Sequence, residues 1–542
     1  MKTKQTLKTI EEVYGKISPF EFKNELINVA HTSDETSKRP LLDAGRGNPN
    51  WTAATPRQAF FTFGQFAVTE TQRVWMEGDL AGMPHKTGIY ERFLKYSSLN
   101  QSLPGMSLLK NIINYGIEKK NFNPDAFVYE LTDAIIGDNY PYPDRMLTHI
   151  EEIVHDYLIK EMCNNECLEN DFDIFAVEGA TAAMCYIFDS LKANELLTKG
   201  DKIAIMTPVF TPYLEIPELP RYSLEIVEIK ADEFSKDPSG AWQYPKKELE
   251  KLKDKSIKAL FVVNPGNPSS VALSNSCKND LISIIKEYNE NLIIISDDVY
   301  GTFVPHFRSL MADLPYNTIG VYSFSKYFGV TGQRLGTISV HKNNVIDKLI
   351  RELPDDKQEM IKGRYSALSQ NYKDISFIDR VVADSRQVAL NHTAGLSTPM
   401  QVQMAFFCAF AILDKDDTYK NQTMEICRKR KEILFNSLGL EPRDSIYDAD
   451  YYTEFNLLVW AKNHFGEEFA YFLEDNYSLV YILYKLAEET SIILLSGSGF
   501  NDSEWSLRIS LANLEDREYE KIGKVLRKLV IDLIEKFNET KK

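Results

Sequence analysis

A lysine at the end of a predicted strand is the residue of this sequence with the clearest chemical potential. Lys326 stands in the segment YSFSKYFGVTGQRLG (322–336), among small and hydroxyl-bearing residues. Lysine side chains usually stay in solvent, so one in such surroundings commonly has a specific role. A lysine amine with a lowered pKa can form an imine with a carbonyl compound. The alternative is an exposed lysine that follows an edge strand.

Several groups near this lysine suit a phosphate. Ser323 and Ser325 supply hydroxyls, and Arg334 supplies a planar fork of N–H donors. The small-residue turn EGATAAM opens a predicted helix, so the backbone N–H groups of Ala180 and Thr181 suit the same anion. Ordinary packing explains many turns of this kind.

A second strand end carries a carboxylate and a phenol. Asp297 ends an apolar run, and Tyr300 follows three residues later in SDDVYGTF. A carboxylate that faces a pyridine nitrogen keeps it protonated, which makes the ring an electron sink. Tyr300 and Asn267, the latter in the turn NPGNPSS, could both bond an oxygen on that ring. The alternative for Asp297 is a cap on the next helix.

Two further residues extend this candidate site. Phe210 in TPVFTPY could stack on a flat ring, although such an aromatic is more often part of the core. Arg508 lies between apolar neighbours in WSLRISLA, which predicts a strand. A buried guanidinium needs a partner anion. A substrate carboxylate fits this need, and a structural glutamate elsewhere would also meet it.

The elements that position these residues follow an alternating pattern in the middle of the chain. Helical stretches separate short apolar runs, which predict buried strands at 202–208, 257–265, 291–298, 318–325 and 336–341. This pattern predicts an α/β fold with a mostly parallel sheet and helices on both faces. Ligands of such sheets bind beyond the carboxyl ends of the strands, where Asp297 and Lys326 fall.

The amino-acid composition limits the classes of function that the chain can have. The chain has 542 residues, 44% of them hydrophobic, which is enough for more than one domain. Its net charge of −16 disfavours nucleic-acid and anionic-membrane partners. Neither a signal peptide nor a membrane span is expected, so we predict a cytoplasmic protein with reduced cysteines. The Cys163–Cys167 pair lacks a second pair with zinc-like spacing, so no metal is expected.

In their order and spacing, these motifs resemble the fold-type-I pyridoxal-5′-phosphate (PLP) enzymes of the aspartate aminotransferase group. The pattern S-x-S-K-x7-R-x-G runs from Ser323 to Gly336. The resemblance covers roughly residues 170–345 and extends to Arg508. It implies a large domain with a mostly parallel, seven-stranded type of sheet, and a smaller α/β domain built from both termini.

The resemblance also assigns roles to the candidate residues. Lys326 would be the Schiff-base lysine and proton shuttle, and Arg508 would bind the α-carboxylate of an amino acid. Asp297 would pair with the pyridinium, and Phe210 would stack on the ring. The remaining cofactor contacts would be Tyr300 and Asn267 to the ring oxygen, and Ala180, Thr181, Ser323, Ser325 and Arg334 to the phosphate.

A closer resemblance is to the aspartate 4-decarboxylase family. The chain is over 100 residues longer than a plain aminotransferase should be, with the excess at 52–135 and 345–395. Arg46 stands beside Gly47 where plain aminotransferases usually carry an apolar residue. The resemblance implies decarboxylation of L-aspartate to L-alanine and CO2, with aspartate:2-oxoglutarate aminotransferase activity. The alternative is a plain aspartate or aromatic amino-acid aminotransferase.

Some details of this resemblance stay open. Ala180 stands where glycine is expected in the phosphate turn, but its backbone N–H is retained. Arg46, Gly47 and Asn267 are candidate substrate contacts. The alternative for Arg46 is a loop arginine in a surface ion pair.

The resemblance also implies that the active site is shared between subunits. Tyr140 resembles the tyrosine that reaches a phosphate across the dimer, with Tyr142 as the alternative. We therefore expect at least a homodimer, and a larger assembly of dimers is compatible with the insertion. The insertion is predicted to cover the active-site mouth or to build that assembly. The predicted domains are an N-terminal segment (1–150), a PLP-binding domain (151–395) and a C-terminal small domain (396–542).

Overall fold

The computed structural model describes most of the chain, and Cys167 lies outside the described residues. The described ranges are residue 10 and residues 13–14, 17–32, 39–166, 171–232, 242–386 and 395–541. The strands are β1 Leu42–Asp43, β2 Met76–Glu77, β3 Leu80–Ala81, β4 Phe172–Val177, β5 Lys202–Thr207, β6 Glu225–Lys230, β7 Ile257–Val263, β8 Ile293–Asp297, β9 Thr318–Ser323, β10 Gly336–His341, β11 Tyr452–Asn456, β12 Ile492–Ile493, β13 Leu495–Ser496 and β14 Ser506–Ser510.

Helices surround these strands in every part of the chain. In chain order they are α1 Pro19–Thr32, α2 Ala54–Val74, α3 Ile89–Leu99, α4 Met106–Glu118, α5 Pro124–Ile136, α6 Thr148–Met162, α7 Ala180–Ala193, α8 Pro212–Glu218, α9 Lys246–Leu249, α10 Asn275–Tyr288, α11 Leu310–Asp313, α12 Val345–Arg351, α13 Asp355–Tyr365, α14 Phe377–Ser385, α15 Thr398–Leu413, α16 Thr418–Leu438, α17 Leu457–Phe465, α18 Glu467–Asn476, α19 Leu479–Thr490 and α20 Asp516–Thr540. Among these described helices, none is both long and apolar enough to cross a lipid bilayer.

A seven-stranded sheet forms the centre of the molecule, as the family resemblance implies. Its order is β4-β10-β9-β8-β7-β5-β6, and β10 runs antiparallel to both of its neighbours. The pairs among β5 to β9 are parallel. Alternate side chains of β7 enter two different apolar cores, Phe261 beside α7 and α14 and Leu260 beside α10. Both faces of the sheet are therefore covered, which explains its nearly continuous apolar strands.

The long insertion packs as a helical layer against the later part of the chain. Phe63 and Phe66 of α2 contact Phe93 of α3, and Phe63 also contacts Phe406 of α15. These side chains are buried. Phe63 thus shares a core with Phe406 of α15, more than 300 residues later in the chain.

Both ends of the chain build a second, smaller layer. Strands β11, β14 and β13 form an antiparallel sheet, and β1 pairs in parallel with β12. Leu26 of α1 shares an apolar core with Leu483 of α19 and Ile522 of α20. The N-terminal segment therefore joins C-terminal elements, while the domain limits given above stay a prediction.

Candidate active site

A cavity of about 370 Å³ opens at the carboxyl ends of β8 and β9. Its walls are formed by residues of both the large sheet and the small C-terminal layer. The predicted residues that line it are Arg46, Gly47, Ala180, Thr181, Phe210, Asn267, Asp297, Tyr300, Ser323, Ser325, Lys326, Arg334 and Arg508. Residues that are spread between positions 46 and 508 thus meet in one cavity. This is expected for the crevice that ligands occupy at the carboxyl ends of parallel strands.

Lys326 lies inside this cavity, shortly after the end of β9. Its Nζ donates a hydrogen bond to the carbonyl oxygen of Gly47 at 2.9 Å. Strand β9 is an interior strand, paired with β8 on one side and β10 on the other. The lysine is half-buried, so the alternative of an exposed residue after an edge strand does not hold.

The proposed phosphate cradle depends on two glycines. Gly179 has a φ of +87°, and a Cβ there would lie 2.5 Å from a guanidinium nitrogen of Arg334. A Cβ on Gly336 would lie 2.7 Å from the Cα of Gly179. Because both side chains are absent, the Arg334 guanidinium reaches the N-terminus of α7.

Several hydrogen-bond donors lie around that same point. The first N–H groups of α7, including those of Ala180 and Thr181, have no intrahelical acceptor, and the helix dipole favours an anion there. Ser323 and Ser325 add hydroxyls, whose oxygens are 3.0 Å apart. These residues fit a phosphate monoester, and Ala180 serves as well as glycine because its backbone N–H is the relevant group.

Asp297 is a buried carboxyl group at the tip of β8, with only 3% of its surface exposed. Burial raises the pKa of Asp297 to about 6, against the opposing effects of its hydrogen bonds and the Lys326 charge. The carboxyl accepts bonds from the Tyr213 hydroxyl at 2.5 Å and the Val299 N–H at 3.2 Å. It caps none of the described helices, so its environment fits a partner for a pyridinium.

Arg508 is a buried cation with unused binding capacity. Only 2% of its surface is exposed, and it donates to Asn267 Oδ1 at 2.9 Å and to the Gly45 carbonyl at 2.7 Å. Its Nε has no hydrogen-bond partner in the described part of the chain. Glu454 lies opposite Arg508 in the β11–β14 register, yet Arg508 forms no ion pair with any described residue. A substrate carboxylate would supply the missing anion.

Tyr300 belongs to a group of buried tyrosines. Its hydroxyl lies 2.9 Å from the Tyr452 hydroxyl, and the Tyr451 hydroxyl donates to the Gly47 carbonyl at 2.8 Å. Burial raises the pKa of Tyr300 well above its ordinary value. A Cβ on Gly47 would overlap the Tyr452 hydroxyl and lie 3.2 Å from Lys326 Nζ, which explains why glycine suits this position.

The remaining predicted residues lie at the edge of the site or outside it. Arg46 is exposed at the cavity wall and forms no ion pair with any described residue, so that part of the chain shows no partner for a surface ion pair. Tyr140 and Tyr142 are 78% and 86% exposed and do not line the cavity of their own subunit. Their exposure is compatible with a contact to another subunit.

The cavity is also lined by Lys23, Tyr213 and Tyr452, which are not among the predicted site residues. Lys23 belongs to α1 and lies 3.8 Å from Asp43. Tyr213 follows the predicted strand-end Phe210 by three residues, which is the one local signal that could have identified it. Tyr452 starts a strand far from every recognised motif. Within the described ranges, no group of three or more His, Cys, Asp or Glu side chains could hold a metal ion.

Comparisons with known proteins agree with this geometry. The chain matches the family model of aminotransferases of class I and II over residues 173–526. It is 44% identical, over 525 residues, to a Pseudomonas protein named bifunctional aspartate aminotransferase and L-aspartate beta-decarboxylase, covering 96% of this chain and 97% of the relative.

Solved structures show the same fold at lower identity. The Thermus thermophilus aspartate aminotransferase with maleate superposes with a TM-score of 0.58 at 13% identity, covering 96% of this chain and 98% of the other. The aspartate aminotransferase of Rhizobium meliloti gives a TM-score of 0.57 at 15% identity, covering 94% and 96%.

Proposed function

Because the chain belongs to the aminotransferase class I and II family, we propose that it decarboxylates L-aspartate at the β-carbon. The products would be L-alanine and CO2, and aspartate:2-oxoglutarate aminotransferase activity would accompany the reaction. The observation that carries the proposal is one cavity that joins Lys326, the buried Asp297 and Arg508, which forms no ion pair with a described residue. The similarity to the Pseudomonas protein over nearly the whole chain supports the choice of substrate.

Enzymes of this family depend on PLP, and the cavity residues fit it. When bound, PLP supplies an electron sink for a developing carbanion. Lys326 would hold it covalently through Nζ, and Asp297 would keep its ring nitrogen protonated. Phe210 would stack on the ring, and Tyr300 and Asn267 would bond its oxygen. The phosphate ligands would be Arg334, the hydroxyls of Ser323 and Ser325, and the N–H groups of Ala180 and Thr181.

The substrate is oriented by charge. Arg508 would bind the α-carboxylate. The substrate would thus supply the anion that no described residue provides to this buried guanidinium. Cα would then lie beside Lys326, whose amine would take the Cα proton and later return it to Cα. The Gly47 carbonyl, which accepts from Nζ at 2.9 Å, orients that amine.

The β-carboxylate needs a loose contact. A rigid two-point clamp would stabilise the ground-state anion and slow the loss of CO2. Arg46 is exposed and is held by no ion pair with a described residue, so its contact with a carboxylate would stay adaptable. Gly47 keeps the adjacent space open. We propose that this looseness separates decarboxylation from simple transamination.

We also propose that the enzyme works in the cytoplasm as a homodimer at least. Tyr140 or Tyr142, both exposed in the single chain, would contact the phosphate bound in the partner subunit. The insertion exposes apolar side chains, including Phe61, Trp75 and Leu80. Such a surface supports a further contact between dimers.

The test uses L-aspartate alone. PLP-loaded protein is incubated without a keto acid, and alanine and CO2 are followed over many turnovers. Sustained production of both supports the decarboxylase. A single turnover that stops, and that 2-oxoglutarate restarts, indicates a plain aminotransferase. The Lys326→Ala variant is the matched control and should show no turnover, which excludes contaminating enzymes and spontaneous loss of CO2.

A further inference from the structure

The hydroxyl of Tyr452 lies where three functional parts of the cavity meet. Its oxygen is 2.9 Å from the Tyr300 hydroxyl. The Tyr452 ring packs against the guanidinium of Arg508, with 4.3 Å between the Arg508 Cζ and the ring centroid. A Cβ on Gly47 would touch both the Tyr452 hydroxyl and Lys326 Nζ, so these two groups face the same small space. Tyr452 is itself buried.

The proposed reaction needs a second proton that Lys326 does not supply. The Lys326 amine would take the proton from Cα, and a proton must return to Cα before alanine is released, so that proton is not available to Cβ. When the bond between Cβ and the carboxylate carbon then breaks, its electron pair stays with the substrate. Cβ must gain a proton to become the methyl group of alanine, so a separate acid is required.

Most other acidic groups in the cavity are already engaged. Tyr213 donates its proton to Asp297. Tyr300 is the residue that fits the ring oxygen of the cofactor. Lys23 lies 3.8 Å from Asp43, in helix α1. Tyr452 can instead rotate its hydroxyl hydrogen away from Tyr300 and toward the space beside Lys326.

We propose that Tyr452 is the acid that protonates Cβ, an inference that rests on the proposed decarboxylase function. The α-carboxylate on Arg508 and the Cα beside Lys326 place Cβ close to the Tyr452 hydroxyl. The Tyr452 O–H bond breaks as the Cβ–H bond forms, after CO2 has left with its carbon–carbon bond cleaved. The phenolate then regains a proton from water, so each turnover consumes one solvent proton and releases one CO2.

The Tyr452→Phe variant tests this assignment because it keeps the ring beneath Arg508. Wild type and variant, both loaded with PLP, are incubated with L-aspartate, and alanine and oxaloacetate are measured from the start of the reaction. Without a nearby acid, Cβ stays unprotonated long enough to recapture CO2. We expect alanine formation to fall about 100-fold, and the ratio of alanine to oxaloacetate to fall at least tenfold.

Tyr451→Phe is the matched control. Its hydroxyl bonds the Gly47 carbonyl at 2.8 Å and does not line the cavity. The product ratio should stay within twofold of wild type in this variant. If Tyr452→Phe loads PLP poorly, a second variant with 3-fluorotyrosine at position 452 is used. This residue keeps an ionisable phenol, so most of the alanine formation should be restored.

The outcomes separate this inference from the proposed function. If the wild type forms no alanine, the decarboxylase proposal itself fails. If the wild type forms alanine and Tyr452→Phe keeps the same product ratio, water or Lys326 is the donor and the assignment to Tyr452 is wrong. An equal fall in the ratio of alanine to oxaloacetate in Tyr452→Phe and Tyr451→Phe would indicate a general disturbance of the buried tyrosines. That result would also overturn the assignment to Tyr452.

Discussion

The hydrogen bond from Tyr213 to Asp297 gives the sharpest prediction about cofactor binding. Asp297 is buried, and its pKa is about 6 without a cofactor. The carboxyl therefore becomes charged as the pH rises through about 6, and only the charged form can pair with a pyridinium. The Tyr213 hydroxyl, 2.5 Å away, stabilises that charged form. Removing the hydroxyl by Tyr213→Phe should raise the pKa of Asp297 further.

The size of this shift follows from the energy of the bond. A hydrogen bond to a charged group contributes about 1.5–3 kcal/mol. One pKa unit corresponds to about 1.4 kcal/mol. The pKa of Asp297 should therefore rise by about one to two units in the variant. Phenylalanine retains the edge contact with Phe261, whose ring centroid is 4.5 Å from that of Tyr213, so the fold should be preserved.

The assay is the affinity for PLP as a function of pH. Equilibrium dissociation constants are measured between pH 5 and pH 9 by absorbance, for wild type and variant. In both proteins the affinity should weaken as the pH falls, because Asp297 takes up a proton. The midpoint should lie about one to two units higher in Tyr213→Phe.

A matched control comes from another tyrosine–aspartate pair. Tyr222 donates to Asp189 at 2.5 Å, and neither residue lines the cavity. Tyr222→Phe should leave the midpoint unchanged. If the midpoint of Tyr213→Phe also stays within about 0.3 units of wild type, the hydrogen bond does not set the charge of Asp297 and the reasoning is wrong.

Three further predictions concern the substrate, the N-terminal loop and the second subunit. Arg508→Lys keeps the charge but loses the planar pair of guanidinium donors, which removes about 1.5–3 kcal/mol of hydrogen bonding. KM for aspartate should therefore rise about 10- to 150-fold, and an unchanged KM would refute the carboxylate role. Gly47→Ala would push a methyl group against Tyr452, so kcat/KM should fall at least tenfold with a similar melting temperature; steady-state kinetics with calorimetry would check both. Either Tyr140→Phe or Tyr142→Phe should weaken PLP binding about tenfold in equilibrium dialysis, and unchanged affinity in both would argue against a shared site.

The sequence predicts the central sheet closely because its signals are local. The runs at 202–208 and 318–325 became β5 and β9 with similar limits, and β10 matches its predicted range of 336–341. The outer strands β4 and β6 were not predicted. Glu225–Lys230 mixes polar and apolar residues at the sheet edge, which is a weaker signal than a continuous apolar run.

The candidate site was predictable to the extent that its residues stand in local motifs. Lys326, Asp297 and Arg508 each follow or occupy an apolar run, so a single pass along the chain identifies them. Tyr213 and Tyr452 gain their importance from partners 84 and 152 residues away. Tyr452 has no local signal at all, and Tyr213 has only its position three residues after Phe210, because the roles of both arise from the packing of separate segments.

The loop that follows β1 has a consequence for biosynthesis. Its Gly47 carbonyl accepts from Lys326, 279 residues later, and its Gly45 carbonyl accepts from Arg508, 463 residues later. At about 5–20 residues per second, a ribosome needs roughly 20–90 s to make Arg508 after Gly45. Contacts of such long sequence separation also form slowly. A chain under synthesis therefore has an incomplete cofactor pocket until Arg508 has been made, and the loop after β1 can reach its final contacts only after that point.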